Sequence, residues 1–550
     1  MRRIVLRALT TSSRRNKPLP VPSQPAPTPP APSQPSLSEP ATVRWDGTSR
    51  WDSKPPPPPP PTTNLTPKQR NKLLASSSGP FSLFSIYSAS PTNAFTPINY
   101  CTLLSKLSKY NLSPRSALLR SPTFELILAD IPPLLPSFSP RDLADLLYSL
   151  RVLNHATLDT TLPTADHTKS IINSIDYSLL LNAGSPRDQS NAAYSLAILS
   201  PTTHLPPFLA SLDAPSSASK LAASPIPQDA ANILYAAATI SRPMPTLANA
   251  LNDPETAADF VANSKKLHTL TSTLHSLSKL GHTTPHLFHA LSPLHSSIIT
   301  HASPQSVSNL AWSHAVQKHP SLKLFRAIDA AAFTILQKPR TTPQTICNLA
   351  WSAATLGHPA FTFFDALTKM KRKMPPMKAY APGEMAMLAW AVGALEYEYP
   401  ALLSEIEGQA ERIVWGGTPQ NVAMVAVAFA TLGFEGEEFW KAFERHLERF
   451  LGQATGQGLC NICWSIVVLD LQDTTAKRVF AACVEAIAGS SRGIIHILVP
   501  QPLTPASLMQ SWTRRRSQTR RCTSSLRCRR SSRCLTMWCG GSTRRFEGCR

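Results

Sequence analysis

Apolar residues recur with helical spacing along most of the chain, and a proline precedes many of these stretches. Apolar residues lie three, six, seven, ten and thirteen residues after Pro343, the first being Ile346 and the last Leu356. This spacing places them on one face of a helix, which Gly357 is expected to end. A second helix is predicted from residue 359 to 371. Residues 97–490 contain no alternating strand pattern, so this region is predicted to be all-α.

This two-helix unit recurs at intervals of 37 to 46 residues. Position +n denotes the residue n places after the first residue of a unit. The units begin at Pro140, Pro186, Pro227, Leu267, Pro304, Pro343, Pro382, Pro419 and Gly456, with a degenerate unit at Pro97. A sustained period near forty residues is typical of a solenoid, whose units bury their apolar faces against their neighbours. We therefore predict a superhelical α-solenoid of about nine to ten helix-pair repeats over residues 97–490.

Other positions in the unit predict how the helices begin and pack. Hydroxyl side chains suited to N-caps precede five of the prolines, at Ser139, Ser185, Ser303, Thr342 and Thr418. Small residues occupy positions +4 and +9 in every unit from Pro140 onward, which favours close approach of neighbouring helices. A large residue, often Trp or Tyr, occupies position +8, and Asn is common at +5. We interpret the aromatic residue as filling the space between units and the Asn as bonding across helices. The alternative interpretation is that the aromatic residues stack on bases of a single-stranded RNA and the Asn residues read them.

Residues that distinguish one RNA base from another are expected at polar positions that vary between units. Position +2 fits this description, and it lies in the first turn of each first helix. The predicted RNA-binding residues there are Asp188, Asp229, Thr269, Ser306, Thr345, Glu384 and Asn421. A solvated helix start is the alternative interpretation. Lys371, Arg372 and Lys373 form a basic run between two units and are predicted to contact phosphate.

The sequence shows no motif for catalysis, a metal or a cofactor. Cys460 and Cys463 form a Cys-x-x-Cys pair without partner ligands, so core packing is favoured over zinc. A loose group of histidines between residues 268 and 314 lacks the spacing of a ligand set. The protein is therefore predicted to be non-enzymatic, with no cofactor.

Charge is unevenly distributed along the chain. The formal net charge is +21, yet residues 81–513 contain 30 basic and 29 acidic side chains. The repeat region is therefore almost neutral, and the overall charge does not by itself indicate a nucleic-acid surface. Residues 491–550 are rich in Arg, Ser and Cys and lack the repeat period. They are predicted to be disordered or an out-of-frame translation, and a genuine basic RNA-binding tail is the alternative.

The N-terminal residues resemble a targeting sequence. Residues 1–17 contain six basic residues and no acidic ones, with apolar residues near one face of a predicted helix. This pattern is typical of an organellar transit peptide and predicts the mitochondrial matrix, with the chloroplast stroma as alternative. A disordered basic tail is the other interpretation. Residues 18–80 are proline-rich and are predicted to be a disordered linker. No apolar run approaches the roughly 18 residues of a membrane span, so no membrane insertion is expected.

The phrase Pro-Gln-x-x-x-Asn-x-x-Trp-Ser-x-Ala-x-x-Leu-Gly at 343–357 resembles the octotricopeptide repeat and the related heptatricopeptide repeat. Similar phrases occur at residues 304, 382 and 456. The resemblance implies a superhelix of helix pairs that binds single-stranded organellar RNA in RNA processing, stability, ribosomal RNA maturation or translation. It also implies RNA-processing or ribosomal proteins as partners. Many members end in a RAP domain, which residues 491–550 do not match. The alternative function is a protein–protein scaffold of the HEAT or armadillo type, which the near-neutral repeats favour.

Overall fold

The computed structural model describes residues 65–91, 93–110, 120–153, 163–369 and 374–490. All regular structure in these ranges is helical, which confirms the predicted all-α class. Contacts divide the chain into two units after Cys483. The second unit is represented only by residues 484–490, at the end of the last helix.

Twenty-nine α-helices occur in the described ranges, joined by short turns and three 3₁₀ segments. In chain order the helices are α1 (Pro67–Ala75), α2 (Pro80–Ser88), α3 (Pro97–Lys109), α4 (Pro122–Ala129), α5 (Pro140–Val152), α6 (Pro163–Ser174), α7 (Tyr177–Ala183), α8 (Pro186–Leu199), α9 (Leu205–Leu212), α10 (Pro215–Ala222), α11 (Pro227–Thr239), α12 (Pro245–Leu251), α13 (Pro254–Asn263), α14 (Leu267–Lys279), α15 (Pro285–Leu291), α16 (His295–His301), α17 (Pro304–Val316), α18 (Leu322–Ala330), α19 (Ala332–Gln337), α20 (Pro343–Thr355), α21 (Phe361–Lys369), α22 (Pro382–Ala394), α23 (Pro400–Glu407), α24 (Ala410–Gly416), α25 (Pro419–Leu432), α26 (Glu437–Arg445), α27 (Leu447–Gln453), α28 (Gly456–Leu469) and α29 (Thr474–Ser490).

The first helices of successive units pack against one another in chain order. This first layer comprises α1, α3, α5, α8, α11, α14, α17, α20, α22, α25 and α28. Such sequential packing is consistent with an α-solenoid. The first layer begins with α1, which packs on α3, so the predicted array boundary at residue 97 is too late. The predicted linker boundary at residue 80 is also wrong, since residues 67–75 already form a helix.

Small residues at positions +4 and +9 allow the first helices to approach closely, as predicted. Both positions are buried throughout the units from Pro140 to Pro419. In five units the residue at +9 is a Ser whose hydroxyl donates to the carbonyl of the residue at +5, as in Ser195 to Asn191 at 2.7 Å. This bond satisfies a polar group that would otherwise be costly to bury. The closest approach is at Gly393 in α22, where an added Cβ would lie 3.0 Å from Ala428 Cα in α25.

The predicted N-caps are confirmed. The side chains of Ser139, Ser185, Ser303, Thr342 and Thr418 each accept a hydrogen bond from the backbone N–H three residues later. At Ser185 the bond is reciprocal, since Asp188 Oδ2 accepts from the Ser185 N–H at 3.0 Å. Such a capping box satisfies backbone donors that have no partner inside the helix.

Replacing Ser185 with Ala is expected to lower the free energy of unfolding by about 1 kcal/mol, because α8 loses its side-chain cap. Urea unfolding followed by circular dichroism measures this change. Ser185→Thr is the control, since its hydroxyl can still cap the helix. An unchanged midpoint in Ser185→Ala would contradict the assigned cap.

The first helices end in a recurrent left-handed turn. In the seven units from Pro227 onward, the residue at +14 has a φ between 50° and 79°, and the N–H at +15 donates to the carbonyl at +10. This is the Schellman arrangement, which closes the C-terminus of a helix. Gly357 occupies position +14 as predicted, with a φ of 67°.

The second half of most units contains two short helices instead of the predicted continuous one. Residues 400–414, for example, divide into α23 and α24, because Gly408 and Gln409 interrupt the helix. The helix predicted over 359–371 is a single one, α21, which spans Phe361–Lys369. These helices form a second layer in which neighbouring units also pack in chain order, as in α10 on α12 and α13 on α15. No helix in the described ranges is both long and apolar enough to cross a membrane.

Three histidines cluster inside the middle of the array. His295 and His314 are almost fully buried, with ring centroids 5.5 Å apart, and His319 is 5.3 Å from His314. The Nδ1 atom of His314 donates to the carbonyl of His319 at 2.8 Å, but both ring nitrogens of His295 lack a partner among the described residues. Burial lowers the pKa of His295 to about 4 and that of His314 to about 3. Both rings are therefore neutral at pH 7.

Acidification is expected to destabilise this part of the array. As the pH decreases below 6.5, these two histidines bind protons in the unfolded chain but remain neutral in the folded protein until the pH nears their lowered pKa values. The free energy of unfolding therefore decreases as the pH decreases. At pH 5 the loss is about 2 kcal/mol for each imidazole relative to pH 7. Urea unfolding of the protein and of His295→Leu at both pH values measures it. The variant should lose less stability on acidification, and His301→Leu, which changes an exposed ring, should behave like the unaltered protein.

Candidate nucleic-acid interface

One stripe of each first helix remains open to solvent. It comprises positions +1, +5, +8 and +12, which lie on the face opposite the apolar one. In the unit from Pro140 these positions are Arg141, Asp145, Tyr148 and Val152, all exposed. Most corresponding side chains of the later units are exposed or half-buried. Because the first helices pack side by side, these stripes form one continuous surface, which we call the open face.

Aromatic rings at position +8 meet between neighbouring units on the open face. Tyr194 and Tyr235 have ring centroids 5.3 Å apart, and the rings of Trp351 and Trp390 are 6.5 Å apart. A further contact joins His275 and Trp312 at 4.7 Å. These pairs alternate with gaps along the surface. The result is a row of rings with accessible edges and faces.

The interpretation of position +8 as buried filling between units is wrong for most units. Trp312 is buried, with 5% of its surface exposed, but Tyr148 and Tyr235 are 36% and 38% exposed. Tyr194, Trp351 and the remaining rings are half-buried. The helical phase of +8 matches the mostly polar positions +1 and +5, and this phase could have revealed its exposure from the sequence.

The asparagines at position +5 do not bond across helices. The side-chain amides of Asn191, Asn309 and Asn461 make no hydrogen bond within the described chain, and all three are half-exposed. Asn232 accepts from Gln228 Nε2 of its own helix at 2.7 Å. Asn348 differs, being buried with 5% exposed. In several units, a side-chain amide without a hydrogen-bond partner in the described ranges therefore lies near the ring at position +8.

The predicted reading residues at position +2 are not at an open surface. Asp229, Thr269, Ser306, Thr345 and Asn421 are buried, while Asp188 and Glu384 are half-buried and serve as helix caps. Position +2 is the third residue of each helix, and its side chain turns toward the cap and the neighbouring unit. Asp229 accepts from Ser190 of the preceding unit at 3.2 Å, and burial raises its pKa. Thr269 likewise donates to Gln228 of the preceding unit at 2.7 Å, and the other five residues bond at the start of their own helix.

The basic residues on the open face are concentrated at its N-terminal end. Arg141 and Arg187 occupy position +1 and are exposed. The Arg151 guanidinium lies between two rings, 4.8 Å from the centroid of Tyr148 and 4.6 Å from that of Tyr194. The predicted phosphate contacts Lys371, Arg372 and Lys373 lie outside the described residues.

The chemistry of the open face changes toward its C-terminal end. Met387 and Met424 replace the polar residue at +5, and Val427 replaces the ring at +8. Val468 at position +12 of the last unit is 44% exposed. This end is therefore more apolar than the end that begins at Pro140.

No group of three or more His, Cys, Asp or Glu side chains in the described ranges is arranged to hold a metal ion. Cys463 is half-buried, but Cys460 is exposed, so the predicted core packing is wrong for Cys460. Its position +4 faces the next first helix in other units, and none of the described first helices follows α28.

No protein-family model matches the chain, and no curated protein matches it.

Proposed function

We propose that this protein binds single-stranded RNA along the open face and has no catalytic activity. The observation that carries the proposal is the row of partly exposed rings at +8 on the first helices, with half-exposed side-chain amides beside them in the units from Pro186, Pro227 and Gly456. Unpaired bases stack on aromatic side chains, and the edges of the bases accept hydrogen bonds from amide NH2 groups and donate hydrogen bonds to amide oxygens. Double-stranded RNA does not present its bases in this way. The arginines at the N-terminal end supply phosphate contacts.

The location and the biological role rest on the sequence. The basic N-terminal residues support delivery to the mitochondrial matrix, and the chloroplast stroma is the alternative. The resemblance of the repeats to octotricopeptide and heptatricopeptide repeats supports a superhelical array that acts in RNA processing, stability, ribosomal RNA maturation or translation. Occupancy of the RNA would be its mechanism, because a covered strand is shielded from exonucleases and can recruit RNA-processing or ribosomal proteins.

Crosslinking followed by sequencing of RNA bound to the tagged protein tests this proposal. We expect one or a few organellar transcripts to be enriched, by the full chain and by a chain ending at Gly489. Recovery that requires residues 490–550 would assign RNA binding to the tail, and equal recovery of all RNA would exclude recognition of specific transcripts. Either result would overturn the proposal for the repeats.

The contribution of phosphate contacts can be measured separately. Replacing Arg141 and Arg187 with Ala is expected to weaken binding of all RNA sequences alike and to reduce the slope of log affinity against log salt by about 1.4, since each lost phosphate contact to a single strand removes about 0.7. Titrations at several salt concentrations provide the slopes. Lys169→Ala on α6 of the second layer is the control and should leave the slope unchanged.

A protein–protein scaffold is the second candidate function. The apolar C-terminal end of the open face favours it, because exposed apolar surface of this kind marks protein interaction sites. Under this function Met387→Asp and Met424→Asp would abolish recovery of a protein partner without affecting RNA. Affinity purification of both variants from organelles distinguishes the two functions.

A further inference from the structure

The unit from Pro140 differs from the amide-bearing units in the group that it presents at position +5. Asp145 stands where Asn191, Asn232, Asn309 and Asn461 stand in other units. Its side chain is 51% exposed on the open face. A carboxylate can only accept hydrogen bonds, whereas an amide both donates and accepts. The unit from Pro140 therefore recognises a different hydrogen-bonding pattern from the Asn units.

Among the three carboxylates near this site, Asp145 alone has no hydrogen bond from the described residues on either oxygen atom. Asp142 Oδ2 accepts from the backbone and the hydroxyl of Ser139, at 3.1 and 2.6 Å. Asp188 makes the same two bonds with Ser185, at 3.0 and 2.7 Å. Asp145 has only a 4.0 Å ion pair with Arg141, whose side chain is 83% exposed. An exposed pair at this distance holds neither group firmly.

The surroundings of Asp145 provide a stacking surface for a base. Tyr148 lies one turn further along α5, and the Arg151 guanidinium is held between Tyr148 and Tyr194. The guanidinium is covered by the two rings, and the exposed part of Tyr148, 36% of its surface, is what a base can stack on. The negative charge of Asp145 repels a phosphate, so a strand on this surface turns a base, and not its backbone, toward the carboxylate.

Only one of the four bases can donate a hydrogen bond to each of the two oxygens of a carboxylate through its Watson–Crick edge. Guanine presents two adjacent donors, N1–H and N2–H, on its Watson–Crick edge. Cytosine and adenine each present one donor next to an acceptor, and the acceptor would face a carboxylate oxygen. Uracil presents a single donor between two carbonyl oxygens. From this geometry, and resting on the proposed RNA function, we infer that Asp145 selects guanine at the position of the strand that lies over the unit from Pro140.

Selection from a random RNA library, followed by sequencing of the bound fraction, tests this inference. The unaltered protein should enrich a motif with an invariant guanine at one end. Asp145→Asn should lose the guanine preference at that position alone and should bind the selected RNA about ten-fold more weakly. Asn191→Asp should create a guanine preference at the neighbouring position, a gain that a damaged fold cannot produce. Asp142→Asn is the matched control, because that side chain caps α5 outside the open face, and its motif should be unchanged.

The outcomes separate the two levels of the argument. If the unaltered protein selects a motif without this guanine, or if Asp145→Asn selects the same motif as the unaltered protein, the role of Asp145 is overturned and RNA binding stands. If no RNA is retained by the unaltered protein, the proposed function falls and the role of Asp145 falls with it.

Discussion

Replacing Tyr194 and Tyr235 together with Ala is expected to weaken binding of single-stranded RNA by about a hundred-fold. Their rings meet at 5.3 Å on the open face and offer stacking surface in two successive units. Removal of an aromatic partner costs roughly 1–3 kcal/mol for each stacked base. Fluorescence anisotropy with a labelled RNA selected by the protein measures the change. Circular dichroism should remain unaltered, since both rings are only partly buried.

A large aromatic residue elsewhere on the protein provides the control. Trp415 on α24 is 61% exposed and belongs to the second layer. Trp415→Ala should bind RNA as the unaltered protein does. Equal losses in both variants would show that RNA binding does not depend on the open face. An unaffected Tyr194→Ala/Tyr235→Ala variant would remove the rings from the proposed interface.

Replacing Gly393 with Leu is expected to destabilise the array by about 2 kcal/mol. The glycine lies inside α22, where a Cβ would already be 3.0 Å from Ala428 Cα and 3.2 Å from its Cβ. A branched side chain must separate α22 from α25, and forced overpacking of this kind costs about 1–3 kcal/mol. The better helix propensity of Leu returns less than about 1 kcal/mol. Hydrogen exchange across α22 and α25 measures the loss locally, as a repeat array need not unfold in one step.

Gly452 in α27 provides the matched control for this substitution. No atom lies within 4 Å of a Cβ added there. Gly452→Leu should therefore keep the exchange rates of the unaltered protein or slow them slightly. If Gly393→Leu exchanged as slowly as Gly452→Leu, close contact between α22 and α25 would not support the array.

The sequence predicts the first layer well because its signals are local. Proline at the start, a hydroxyl cap before it and apolar residues at helical spacing all act within one helix, as in the unit from Pro343. Breaks in the second layer are harder to predict. Gly408 and Gln409 interrupt a continuous apolar pattern without a proline, so only packing between units decides where α23 ends. Helix α1 was missed because it directly follows a proline-rich segment, although Thr66 and Gln69 form a capping box there.

The open face was only partly predictable. Asn191 and Tyr194 were recognised as a recurrent pair, but Trp and Tyr are common in cores, and this general preference outweighed their helical phase. Position +2 varies between units, as a reading position should, yet its side chains turn to the caps and to the adjacent unit. Variability alone therefore does not identify a binding residue. Asp145 needed the structure, because only the hydrogen bonds of Asp142 and Asp188 reveal which carboxylate is free.

The contacts between first helices affect how a gene that encodes such repeats can change during evolution. From the unit at Pro140 to the unit at Pro419, the first helices contact one another through the same small residues at +4 and +9, and from Pro227 onward the left-handed turn at +14 closes each first helix. Between Pro227 and Pro419, duplication or loss of one 37- or 39-residue segment therefore preserves this pattern of contacts between the remaining first helices. Under the proposed function, the length of the bound strand and the order of the recognised bases could then diversify by recombination within the gene, without a new fold.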